Sequence, residues 1–153
     1  MPSLKSFIEL MFGASKHLSD FEKLILNSVR MRLDAKTAEL WDRQILAINK
    51  IQRLPAGSEI NFYRMRSEKP SFDAELSFAN KTEELQVAKV EVKLANVTPK
   101  FTAIVWSVNG FLFSIEYKGN LDLFAEAADE DTRSELKIEC ELKANLAVNA
   151  TKK

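Results

Sequence analysis

The chain has 153 residues, 46% of them apolar and 29% charged, a mix that fits one globular domain over residues 1–153. Lys plus Arg and Asp plus Glu each number 22, and zero net charge argues against a nucleic-acid binder. One Cys excludes an internal disulfide, one His excludes a His-rich metal site, and four glycines without a G-x-G pair exclude both phosphate-cradling glycine fingerprints.

Residues 1–54 read as a helical layer. Leu4, Phe7, Ile8 and Met11 follow the i, i+3, i+4, i+7 spacing of one helical face, and Gly13 offers a stop. Leu10 and Phe12 add apolar surface off that stripe, so this helix wants contacts on more than one side. Leu4, Phe7, Ile8 and Met11 are therefore candidate interface residues. Ser19 followed by Glu22 has the form of a capping box and opens a second helix running to about Leu33. Phe21, Leu24, Ile25 and Ser28 are expected on one face of it, with Val29 beside it. Asp34 is a good N-cap for a third helix, carrying Leu40, Trp41, Ile45, Ile48 and Ile51 along one stripe. Pro55 ends that helix at Leu54.

From Gly57 to about residue 148 the hydrophobic period changes from 3.6 to 2. Ile60 to Met65 alternates, Lys69-Pro70-Ser71 reads as a turn, and Phe72 to Ala79 alternates again. Glu84 to Ala95 changes phase partway, as a strand with a β-bulge does. Asn109-Gly110 is the strongest local signal, predicting a two-residue hairpin between Phe101–Val108 and Phe111–Lys118. Regular pairing from that turn sets Trp106 opposite Phe113, Ile104 opposite Ile115 and Thr102 opposite Tyr117, on the face expected to be core. Phe101, Val105 and Leu112 then fall on the opposite, nominally wet face. In the last strand, Ile138, Cys140, Leu142, Ala144 and Leu146 face one way and charged residues the other, which indicates an antiparallel sheet. The fold expected is α+β: about three N-terminal helices on one face of an antiparallel, largely meander sheet of about six strands.

No catalytic motif emerges. Cys140 lies on the apolar parity of its strand between Glu139 and Glu141, which suits a structural thiol rather than a nucleophile. His17 lies between helices with no second His to build a zinc site. Glu126, Asp129, Glu130 and Asp131 lack calcium-loop spacing and read as a solvated turn. No metal and no cofactor is expected. Residues 1–70 hold 12 basic against 8 acidic residues, but the basic run Arg53, Arg64, Arg66 and Lys69 is short for a nucleic-acid surface. No apolar run approaches the roughly 18 residues of a membrane span. Glu9 interrupts the only stretch resembling a signal-peptide core, and with a single Cys the expected compartment is the cytoplasm.

Three functions of different classes fit this chain. The first is a non-catalytic protein-interaction module, acting on a protein partner or as a homodimer. The second is a carrier of a small apolar ligand, held in a pocket between helices and sheet. The third is an enzyme using carboxylate or Tyr chemistry, which leaves little sequence trace. Candidate ligand-binding residues are Trp106, Phe113, Tyr117, Tyr63 and Arg64.

Overall fold

The structure is a computed structural model, and it describes residues 17–54, 58–94, 100–119 and 136–148. The expected helix over Leu4–Met11, with its candidate interface residues, and the acidic turn at 126–131 lie outside the described residues.

Two α-helices occur among the described residues, against about three expected. Helix α1 is Asp20–Arg30, and the capping box at its start forms as the sequence predicts. Ser19 Oγ accepts from Glu22 N at 3.1 Å, and the Glu22 carboxylate accepts from Ser19 N at 2.7 Å. Phe21, Ile25, Leu26 and Val29 are buried, whereas Leu24 is 46% exposed. The buried stripe is thus rotated from the expected one, toward the i, i+4, i+8 row.

Helix α2 is Ala35–Ala47 and is a separate helix, because Asp34 is an extended N-cap whose carboxylate accepts from Thr37 N at 2.8 Å. It buries Thr37, Ala38, Trp41 and Gln44. Arg30 and Asp42 tie the two helices by a forked ion pair with both contacts at 2.8 Å. The helix stops seven residues short of Leu54. Ile48 turns extended, and Lys50–Arg53 forms strand β1 instead. The i, i+3 spacing of Ile45, Ile48 and Ile51 suits a helix, but β-branched residues suit a strand too. Pairing decides: Ile51 sits opposite Phe62 and Arg53 opposite Ile60 on the next strand, and the Asn49 side chain bonds both N and O of Met65.

Strand β2 is Glu59–Tyr63. Strands β3 (Met65–Arg66) and β4 (Lys69–Pro70) make a small separate hairpin. Its turn is Ser67-Glu68, both at positive φ, rather than the expected Lys69-Pro70-Ser71. The expected strand over Phe72–Ala79 is instead a 3₁₀ turn at Ala74–Leu76 followed by extended chain. Its alternation imitates a strand. Its backbone, however, bonds elsewhere: Phe78 N donates to Gly110 O at 2.8 Å, and Leu76 O accepts from the Gln44 side chain at 2.6 Å. Phe78 is fully buried and stacks on Trp41 at 6.1 Å.

Strands β5 (Leu85–Leu94), β6 (Lys100–Val108), β7 (Phe111–Lys118) and β8 (Leu136–Leu142) complete a six-stranded antiparallel sheet ordered β1-β2-β7-β6-β5-β8. The expected bulge in β5 is present between Gln86 and Ala88. The sheet is not largely a meander. β5, β6 and β7 follow one another as hairpins, but β8 returns to lie beside β5, a Greek-key connection. Arg32 donates to Cys140 O on this edge strand at 2.8 Å, so a charged side chain blunts the edge.

The β6–β7 hairpin turns at Asn109 (φ 54°) and Gly110 (φ 92°), as the Asn-Gly signal predicts. Its register differs from the regular one. A bulge lies between Trp106 and Ser107: Ser107 faces Leu112, Trp106 faces Ser114, and Phe113 is the extra residue. Beyond the bulge, Val105 faces Ile115 and Ala103 faces Tyr117. The slip reverses the face assignment. Phe101, Val105 and Leu112 are buried in the core, while Trp106 is only half-buried on the other face. Phe21, Phe101 and Tyr117 form one aromatic cluster there, with centroids 5.1–6.4 Å apart. α1 packs on β5 and β8, and α2 packs on β7 and the 3₁₀ turn, so the helices cover this one face.

The Asp34 cap and the Arg30–Asp42 pair make stability pH-dependent. Hydrogen bonds from Thr37 N and Oγ1 hold the Asp34 carboxyl below its ordinary range, and the Arg30 guanidinium does the same to Asp42. A carboxyl lowered on folding contributes stability above its unfolded value, about 3.9, and loses it as pH falls through its folded value. An Asp34→Asn/Asp42→Asn double variant keeps a capping side chain but cannot titrate. Its melting temperature should fall less steeply than the wild type's between about pH 5 and pH 2. Parallel melting curves over that range would show that neither carboxyl carries the linkage.

Candidate functional site

The face turned away from the helices carries a groove built by β2, β6 and β7 and walled by the segment around Pro70 and Phe72. One end is an open cavity of about 230 Å³ lined by Trp106, Val108, Phe113, Ser114, Glu59, Glu84 and Glu116. The other end is a cavity of about 290 Å³ lined by Tyr63, Pro70, Phe72, Val108, Asn109, Phe111 and Phe113. Val108 and Phe113 line both ends, so the two cavities adjoin.

The bulge creates this arrangement. An extra residue in β7 sets both Phe113 and Ser114 against the single residue Trp106, and a bulge re-aims the side chains beside it. Phe113 meets the Tyr63 ring edge-on at 5.5 Å. Phe72 stacks on Phe111 at 4.9 Å, holding the 64–73 connection against the hairpin tip. Lys50 Nζ stands 5.9 Å over the Tyr63 ring, and Tyr63 OH donates to Gln52 at 3.2 Å.

The two ends differ in charge. At the Trp106 end, Glu59 lies directly opposite Glu116 across β2 and β7. Like charges so placed repel. Trp106 Nε1 donates to Glu116 Oε1 at 3.2 Å, and Lys118 Nζ contacts the other oxygen at 3.3 Å. Glu59 and Glu84 also line that cavity, and none of its described lining residues is basic. The Phe72 end is lined by aromatic and aliphatic side chains with Asn109 alone carrying an amide.

Of the five candidate ligand-binding residues, Trp106, Phe113 and Tyr63 come together in this groove. Tyr117 is on the opposite face, inside the core. Burial, then the neighbouring Glu22 carboxylate, push its hydroxyl well above the ordinary value, against Arg53. Arg64 serves the fold, donating to Ser71 O at 3.1 Å and pairing with Asp73 at 3.4 Å. The groove also uses Val108, Phe111, Phe72, Glu59, Glu84 and Glu116, which sequence reading did not single out. The available signal was the run Ile104, Trp106, Val108, which leaves β6 apolar on both faces.

Trp106 and Tyr117 face opposite ways, so they do not line one pocket between helices and sheet. Cys140 is half-buried; burial raises its thiol pKa, against Arg32 and a hydrogen bond with Ser28. Among the described residues, no group of three or more His, Cys, Asp or Glu side chains is placed to hold a metal ion. No helix among them is long and apolar enough to cross a membrane. Comparison with protein-family models, curated proteins and solved structures finds no match to this chain.

Proposed function

We propose that this chain is a non-catalytic protein-interaction module of the cytoplasm that receives a partner protein in the groove on its outer sheet face. The observation that carries this reading is the pairing of aromatics away from the core: Tyr63 with Phe113, and Phe72 with Phe111, beside a half-buried Trp106. Such residues, ringed by charge, make up the centres of protein interfaces. Their rings are held by the bulge and by each other, so little side-chain entropy remains to be lost on docking. The free thiol of Cys140 suits a reducing compartment.

A photo-crosslinking amino acid at Val108, shared by both ends of the groove, tests this in the cells that make the protein. Discrete higher-mass adducts are expected from position 108 and not from position 24, which is exposed on the helical side. Absence of adducts at 108, or the same adducts at both positions, would count against the reading.

A second reading, a small apolar ligand, is favoured by the Phe72 end, whose lining is almost wholly apolar. Native mass spectrometry of gently purified protein separates the two. A co-purifying small compound lost in Phe113→Ser would transfer the function to the ligand reading.

A further inference from the structure

We infer that the Trp106 end of the groove is the seat of an arginine side chain presented by the partner, an inference that rests on the docking reading above. Three acidic residues, Glu59, Glu84 and Glu116, line one cavity with Trp106, and no cation is among its described lining residues. Glu59 and Glu116 face each other in register, an arrangement that costs stability unless a positive charge comes between them. The chain's own Lys118 reaches only the Glu116 oxygen turned away from Trp106 Nε1.

The indole is fixed for such a guest. Its N–H is bonded to Glu116 Oε1, which orients the ring and increases the electron density of its face. A cation over an indole face is favoured electrostatically, most strongly when partly desolvated. Among cationic side chains, arginine fits best. Its guanidinium is planar, stacks on the ring, and still directs N–H groups in its plane toward carboxylates. The cavity, about 230 Å³, accommodates a side chain of that size but not a folded element. Because Phe113 and Val108 also line the adjoining apolar cavity, the residue beside the arginine should itself be apolar. Charge complementarity thus selects a basic-apolar segment of a partner protein.

The test uses the full chain and two blocked peptides, acetyl-Gly-Leu-Arg-Phe-Gly-amide and the same peptide with citrulline for arginine. Citrulline keeps the shape and removes the charge. Fluorescence reports the site, because Trp41 is fully buried and Trp106 is not. The arginine peptide should give a saturable change, with the citrulline peptide at least about tenfold weaker. A Glu59→Gln/Glu84→Gln variant, with its melting temperature checked, should lose that preference, and calorimetry should show the same loss in Trp106→Ala. Equal affinity for the two peptides, or a preference that survives the double Gln variant, overturns the inference. Binding of neither peptide overturns it as well. If adducts at position 108 persist in that case, the docking reading stands and only the arginine is wrong; if they are also missing, both fall.

Discussion

Gln44→Leu should lower stability by about 3 kcal/mol and the melting temperature by about 10 °C, although it replaces one side chain by another of similar size and greater apolarity. Gln44 is buried at 5% exposure on α2. Its Nε2 donates to Leu76 O at 2.6 Å and to Gly110 O at 3.1 Å, and its Oε1 accepts from Leu112 N at 2.8 Å. One amide therefore joins a helix, the 3₁₀ turn and the β6–β7 hairpin. Gly110 O keeps its bond from Phe78 N, but Leu76 O and Leu112 N lose the Gln44 amide. Burying two such groups unpaired costs about 1–3 kcal/mol each, which outweighs the gain from a more apolar side chain. Hydrogen exchange at Leu112 N should accelerate more than exchange in β5. Gln44→Glu sharpens the test. Its ionised carboxylate can still accept from Leu112 N but would turn its second oxygen toward two carbonyls. Protonation supplies a donor again, so its penalty relative to wild type should be smallest near about pH 4 and grow as pH rises. A Gln44→Leu chain as stable as wild type would mean that water takes over these bonds.

That contact explains why some elements could be read in the sequence and others could not. Ser19 with Glu22, Asp34 as a cap, Asn109-Gly110 and the phase change in β5 are local signals, and each one forms. The segments read wrongly are those whose partners are distant. Residues 50–53 carry helical spacing, yet β2 claims them. Residues 72–79 alternate as a strand, yet their backbone is claimed by Gln44 and Gly110. The bulge at Trp106 leaves no trace in the local alternation, because both faces of β6 are apolar and a one-residue slip leaves it looking acceptable. For the same reason, Trp106, Phe113 and Tyr63 could be picked out for their aromaticity, but their face could not. Nothing marked Glu59, Glu84 and Glu116 among the 22 acidic residues until the fold brought them to one cavity.

Arg53→Met should cost about 3–5 kcal/mol, because it leaves Glu22 in the interior without its guanidinium. The Glu22 side chain is fully buried, and that of Arg53 is 15% exposed. The two make a forked pair, Nη2 to Oε1 at 2.9 Å and Nε to Oε2 at 3.2 Å, and Arg53 Nη2 also donates to His17 O at 2.9 Å. Glu22 is at once the capping-box residue of α1 and the anchor of edge strand β1, so one carboxylate joins helix start and sheet edge. The two partners are not equivalent on removal. Glu22→Gln keeps an acceptor for Ser19 N, and Arg53 lies close enough to the surface to reach water, so this variant should cost only about 1–2 kcal/mol. Arg53→Met gives Glu22 no such route, because its side chain is fully buried and loses the guanidinium that pairs with it. Denaturant unfolding of both single variants and the double should therefore show the double less destabilised than the sum, by more than about 1 kcal/mol. Additive effects would mean that the pair acts only through packing, and that β1 is held to the sheet by its pairing with β2 alone.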